Sequence, residues 1–345
     1  MEEFTFKWPG QGFAIGDLQV AAPIVQGGMG IGVSGRRLAT AVANCGGIGV
    51  ISAVGLGYLG LPCEIEPKEN ESMNITMLRQ ELRKARMQTK GVLGVNIMVA
   101  IREFTQTAKA AIEEGVDVIF AGAGLPLNLP QCLTAQSKTK LVPIVSSAKA
   151  AKLIAKRWMS KYQYAPDAFV LEGPKAGGHL GFSAEELTKP EYQLEVLLPQ
   201  VVQAAREIGR EAGKEIPVIA AGGVYTGADI YALQQLGASA VQMATRFVAT
   251  EECDAHDKFK QAYLNCKQED IAIIQSPVGL PGRAILNDFL TQAKAGLKRQ
   301  RSRSALHYHL QGGIQSLLYF IGIDSGSAGT VRAWFCIYWC QRISD

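Results

Sequence analysis

Along the chain, short apolar runs rich in β-branched residues alternate with longer stretches whose apolar positions recur every three to four residues. The short runs fall at 22–26, 48–52, 94–98, 116–120, 141–145, 169–172, 218–221 and 240–243. The helix-period stretches include 35–44, 102–114, 148–160, 191–212 and 227–236. Such alternation is the signature of repeated βα units around a parallel sheet. Eight strands in series, each followed by a helical segment, predict a closed (β/α)₈ TIM barrel over residues 15–250. An open doubly wound sheet has fewer strands and one early phosphate fingerprint.

Two stretches break the rhythm. Residues 57–90 exceed an ordinary βα connection and contain a helix near 75–87, so they read as an insertion on the catalytic face, a candidate lid. After Thr250 a helix at 255–264, a turn at 276–282 and a second helix near 284–296 predict a smaller helical segment over 251–297. The fold class is therefore α/β: a TIM barrel with a smaller helical insertion and C-terminal domain.

Composition narrows the function. A chain of 345 residues accommodates one barrel of about 250 residues and a small addition. Net charge is +4, and Lys and Arg are spread over the helices until a basic run at 298–303, so the body carries no nucleic-acid footprint. The opening Met1-Glu2-Glu3-Phe4 is acidic where a secretory signal is basic, and no apolar stretch approaches the length of a membrane span. The seven cysteines (45, 63, 132, 253, 266, 336, 340) are odd in number and lack CxxC or His-Cys spacing. Reduced thiols, a cytoplasmic location and no metal are expected.

In such barrels the chemistry sits where strands end. The first strand runs into Gln26-Gly27-Gly28-Met29-Gly30, where backbone without Cβ lets a planar ligand approach closely; a tight turn alone also accounts for these glycines. Asn96 ends the third strand and offers both a donor and an acceptor to the polar edge of such a ring, or caps a turn. Ala121-Gly122-Ala123-Gly124 follows the fourth strand. After the sixth, Glu172 leads into a loop at 173–181 that carries Gly178 and His179. An imidazole on a mobile glycine-rich loop suits proton transfer, against the plainer reading of a structural histidine. Lys175 reads equally as an anion contact or a solvated lysine.

The last two strands carry the firmest physical signal. Ala220-Ala221-Gly222-Gly223 and Met243-Ala244-Thr245 stand one βα unit apart, at the barrel's usual phosphate position, where glycine N–H groups bind a dianion. Thr245 adds a hydroxyl, and Arg246 reads as structural or ligand-binding. No G-x-G-x-x-G follows an early strand, which disfavours a dinucleotide fold. No cysteine lies in 173–181, which argues against a barrel dehydrogenase with a covalent thioimidate.

Taken in order, Ala22-Pro23-Ile24-Val25-Gln26-Gly27-Gly28-Met29, Gly94-Val95-Asn96-Ile97, Glu172-Gly173 with Ala176-Gly177-Gly178-His179, Ala220-Ala221-Gly222-Gly223 and Ala244-Thr245-Arg246-Phe247 resemble the nitronate monooxygenases, formerly 2-nitropropane dioxygenases. They resemble equally the FMN-dependent enoyl-acyl-carrier-protein reductases. The likeness extends over about residues 21–290. It implies noncovalent FMN, with Gln26, Gly27 and Met29 by the isoalloxazine and Asn96 at its polar edge. It also implies Gly222, Gly223, Ala244 and Thr245 at the phosphate, with Gly28, Gly178, Ala221 and Met243 completing the contacts. His179 would be the active-site base. The expected activity is oxidation of alkyl nitronates with O₂ to carbonyl compounds and nitrite. The long 57–90 stretch and the length beyond residue 290 favour that reading over an NAD(P)H-dependent enoyl reductase working through FMN. A third reading is an FMN-binding protein with little activity. The expected partners are a small-molecule nitronate and O₂, with no nucleic acid and no membrane, and an oligomer is compatible with the sequence.

The third reading arises from the tail. Residues 298–345 lose the earlier pattern and end in Trp334-Phe335-Cys336-Ile337-Tyr338-Trp339-Cys340. With suitable codons, residues 328–344 read one base on give Q-G-R-F-E-H-G-F-A-F-T-G-A-N-A-Y-R, which resembles the C-terminal F-A-x-x-G-A-N-A-Y segment of bacterial family members. The expectation is a frameshift near 295–305; resequencing that finds an intact frame through Asp345 would sink it.

Overall fold

The computed structural model describes residues 10–58, 63–68, 71–275, 281–287 and 290–291. In chain order the strands are β1 (Phe13–Ile15), β2 (Leu18–Val20), β3 (Ile24–Gln26), β4 (Gly49–Ser52), β5 (Leu93–Met98), β6 (Val118–Gly122), β7 (Lys140–Val145), β8 (Phe169–Glu172), β9 (Gly178–His179), β10 (Val218–Ala221), β11 (Ala240–Met243), β12 (Ile271–Gln275) and β13 (Pro281–Ile285). The helices are α1 (Arg36–Asn44), α2 (Met73–Gln88), α3 (Phe104–Glu113), α4 (Ala148–Tyr162), α5 (Leu194–Ala212), α6 (Gly227–Gln235), α7 (Thr245–Val248) and α8 (Asp257–Asn265).

Eight strands form one parallel sheet in the order β3-β11-β10-β8-β7-β6-β5-β4. The sheet closes on itself where Val25 bridges Ile48: Gln26 N donates to Ile48 O at 2.9 Å and Ile48 N to Ile24 O at 3.0 Å. This is the TIM barrel that the sequence predicts. The fourth strand begins at Val118 rather than 116, because Gly115 turns the chain with φ +71° and Val116 N still bonds back to Ala111 O of α3.

Two apolar layers hold the barrel. Inside, Val25, Ile48, Val50, Phe120, Val170 and Ile219 pack together with Phe13, Ile15 and Val20 of the β1–β2 hairpin. Asp17 of that hairpin pairs with Lys140, the first residue of β7, which places the hairpin as a stopper at the strands' N-terminal ends. Outside, strand residues such as Val95, Ile119 and Leu171 meet Leu78, Trp158 and Leu198 on the helices. Branched side chains pointing both ways from each strand explain why the runs are continuously apolar rather than alternating.

Two expectations are corrected. The helix in residues 57–90 is α2, the barrel's own second helix, packed against both α1 and α3 rather than standing apart as an insertion. Arg79, only 6% exposed, ties it there, donating to Glu71 at 2.9 Å, Glu113 at 2.8 Å and Glu114 at 3.1 Å. The extra length lies in the connection before α2, of which 59–62 and 69–70 lie outside the described residues. Beyond the barrel, α8 agrees with the first expected helix, but Ala284 and Ile285 belong to β13, antiparallel to β12. The β-branched run Ile271-Ala272-Ile273-Ile274 favours a strand and finds its partner there. The expected second helix is thus strand at its start, although Leu290 and Thr291 are helical. Residues 276–280 of the expected turn, and the whole 298–345 tail, lie outside the described residues.

Candidate active site

The cavity opens at the C-terminal ends of the strands, where the βα turns converge. After β10, Gly222 and Gly223 are both left-handed, with φ +96° and +86°. A Cβ at Gly222 would lie 2.9 Å from Ala176 N and 3.0 Å from Gly173 O, so a side chain is excluded by conformation and by space. The turn after β11 supplies Met243, Ala244 and Thr245 beside it. Ala221, Gly222, Gly223, Met243, Ala244 and Thr245 therefore line one cavity. Arg246 stacks on Tyr225, its guanidinium 4.6 Å from the ring centroid, which gives it a structural role.

Across the cavity, Gly27, Gly28 and Met29 form one wall with Asn96. A Cβ on Gly28 would fall 2.3 Å from that of Asn96, so the glycine lets the two strand ends close up. Gln26 does not join them. It is fully buried, and its amide turns into the barrel seam: Oε1 accepts from Val50 N at 3.0 Å, while Nε2 donates to Gly27 O at 2.6 Å and to Ser34 Oγ at 2.9 Å. Its place at a strand end made it a candidate, but the short β3 needs its side chain to bond across to β4.

His179 and Gly178 line the cavity from β9. The mobile loop expected around them is instead held on several sides. β9 pairs with β13, Leu180 N donates to Pro281 O at 2.8 Å, and Arg283 reaches Pro174 O at 2.9 Å and Ala176 O at 3.2 Å. The 173–176 segment also rests on the Gly222 turn. Burial holds the His179 imidazole below the usual histidine range, which favours its neutral, proton-accepting form.

Three further residues face the cavity. Glu172, at the end of β8, is half-buried and lines the cavity, where desolvation pushes its carboxyl up to about 8 and favours the protonated form at neutral pH. Its strand-end position was the available signal. Phe259 and Tyr263, 5.1 Å apart between centroids, form an aromatic wall on α8. Their i, i+4 spacing shows that they share a helix face, but local sequence cannot say that α8 folds back over the barrel mouth. Its lead-in is fixed by Asp254, whose carboxylate accepts from Gly35 N at 3.0 Å, Arg37 N at 3.2 Å and Leu38 N at 3.0 Å. Asp254 thereby caps α1 from the far end of the barrel sequence.

Among the described residues no group of three or more His, Cys, Asp or Glu is placed to hold a metal, and no helix is long and apolar enough to cross a membrane. The family model for nitronate monooxygenase matches residues 13–312. The chain belongs to the nitronate monooxygenase family. It is accordingly an oxidoreductase. Relatives within reach of this family member carry more than one name. A Mycobacterium tuberculosis protein named (3aS,4S,5R,7aS)-5-hydroxy-7a-methyl-1-oxo-octahydro-1H-indene-4-carboxyl-CoA dehydrogenase is 29% identical over 287 residues, covering 82% of this chain and 68% of its own. Its namesake from Rhodococcus jostii is 30% identical, with 79% of this chain and 64% of its own length covered. A Staphylococcus saprophyticus protein named "Probable nitronate monooxygenase" is 27% identical, with 80% and 78% covered. Among solved structures, FabK from Thermotoga maritima superimposes with a TM-score of 0.61 at 28% identity, covering 86% of this chain and 78% of that one. A nitroalkane oxidase from Streptomyces ansochromogenes gives 0.59 at 25% identity, covering 79% of each.

Proposed function

We propose that the protein is an FMN-dependent nitronate monooxygenase, oxidising alkyl nitronates with O₂ to carbonyl compounds and nitrite. The observation that carries this reading is the convergence of His179, Glu172, Asn96 and the Gly222–Gly223 turn on one cavity. The residues fit the cofactor. Gly222 and Gly223 leave a cradle that a Cβ would fill, suited to a phosphate, and the Gly27–Gly28 turn leaves a wall free of side chains for a planar ring.

When bound, FMN supplies the electron-accepting chemistry. The chain supplies position and proton control. Gly222, Gly223, Ala244 and Thr245 would hold the phosphate, and the Asn96 amide would meet the polar edge of the ring. Neutral His179 takes the proton from the carbon beside a nitro group, or leaves a preformed nitronate untouched. Protonated Glu172 donates a hydrogen bond into the site without adding negative charge. Met29, Phe259 and Tyr263, all nearly buried, keep water from that side.

Purified protein with a flavin spectrum should consume O₂ and release nitrite from propionate 3-nitronate; a flavin-loaded enzyme that does neither overturns the reading. The thioester alternative is favoured by the names of the Mycobacterium and Rhodococcus relatives and by the likeness to FabK. It would show as NAD(P)H oxidation dependent on an enoyl thioester. Bound flavin with neither activity would mark a flavin-binding protein without turnover.

A further inference from the structure

We infer that Lys175 makes this site selective for a phosphorylated flavin, by placing its ammonium against the phosphate at the Gly222–Gly223 turn. The inference rests on the flavin reading above and goes beyond it, because neutral backbone N–H groups alone would hold the phosphate less selectively.

Three observations converge on Lys175. A Cβ at Gly223 would sit 3.1 Å from both Cβ and Cδ of Lys175, so the lysine stem runs directly over the glycine turn. The fixed 173–176 segment puts it there, since Arg283 binds the carbonyls of Pro174 and Ala176 on either side of Lys175. Among the described residues lining the cavity, Lys175 is the one lysine or arginine.

The charge balance calls for such a cation. Asp229, in the first turn of α6, accepts from Tyr225 N at 3.0 Å and Thr226 N at 2.8 Å, which commits its carboxylate to capping that helix. Burial pushes this carboxyl up, but the bonds from Thr226 and Tyr225 and the nearby Lys175 charge bring it below the ordinary aspartate range. A carboxylate thus stays ionised within the electrostatic reach of Lys175. A phosphate dianion at the Gly222–Gly223 turn would add to that negative charge, and the Lys175 cation offsets it. Riboflavin carries no phosphate and would gain nothing from Lys175.

The test compares FMN and riboflavin binding to full-length apoprotein by quenching of flavin fluorescence. Lys175→Met should weaken FMN by roughly 10- to 100-fold, the range of a charge-assisted hydrogen bond, and leave riboflavin unchanged. Lys175→Arg should keep most of the FMN affinity, and raised salt should weaken FMN less in Lys175→Met than in the wild type. Equal losses for both flavins, or no loss for FMN, would overturn the inference and leave the flavin reading standing. A wild type that binds neither flavin would overturn both. Unchanged riboflavin affinity also reports that the variant is folded, and Lys175→Gln serves if the methionine variant is not.

Discussion

The side-chain oxygen of Gln26 accepts a hydrogen bond at 3.0 Å from the backbone N–H of Val50, across the seam between the first and second barrel strands. The same amide donates to Gly27 O and Ser34 Oγ, so one side chain reinforces the backbone closure of the barrel and fixes the turn that walls the cavity. Replacing it with Met leaves buried polar groups unsatisfied on both sides of the seam. Gln26→Met is expected to lower the unfolding free energy by about 2–4 kcal/mol, taking each orphaned buried group at roughly 1–3 kcal/mol. Urea denaturation measures it. A change below about 0.5 kcal/mol, the scale of ordinary surface substitutions, would mean that the seam closes without this side chain.

Glu172 sets a pH dependence with a defined sign. Its carboxyl titrates at 4.5 in an unfolded chain and at about 8 in the fold. Its contribution is therefore complete below pH 4.5 and is lost as pH rises through about 8, because the desolvated carboxyl must then ionise. Apoprotein should lose denaturant stability between these limits, and Glu172→Gln, which stays neutral, should flatten that slope. Parallel curves for the two proteins would place the ionisation elsewhere.

His179 works in the opposite sense. Burial lowers its pKa, so the fold favours the neutral ring, and its contribution is present above the unfolded value of 6.5 and lost as pH falls. A nitroalkane substrate, whose carbon must lose a proton, should turn over ~10²-fold more slowly with His179→Ala. A preformed nitronate needs no such step and should suffer less. Equal losses on both substrates would show that the imidazole positions the substrate rather than accepting the proton.

Arg283 restrains the segment that carries these groups. Arg283→Met removes the bonds to Pro174 O and Ala176 O while leaving the β12–β13 hairpin apolar face intact. The backbone N–H of Leu180, bonded to Pro281 O, should then exchange its hydrogen faster, with little change in amides of the barrel strands. Uniformly faster exchange would instead indicate global destabilisation.

The barrel was legible because its strands are short buried apolar runs, most of them β-branched, and several of the turns that follow them are marked by glycine. Gly222 and Gly223 could be read because few other residues tolerate two consecutive left-handed conformations. The same logic failed at Gln26, where strand-end position could not distinguish a side chain facing the cavity from one closing the seam. It failed again after residue 265, where β12 and β13 depend on pairing with each other and with His179's own strand. Pairings between distant segments leave no local periodicity, so the partner of β9 and the aromatic wall from α8 became visible only in three dimensions.

The hairpin that carries Phe13 and Ile15 gives the barrel a floor as well as a core. With that end stoppered, the described residues leave the cavity to be entered from the strands' C-terminal ends. If that cavity holds a flavin, the larger molecule would be seated first and the smaller one would come and go in front of it. On the flavin reading, the order of assembly would follow from the architecture of the described residues, last in and first out.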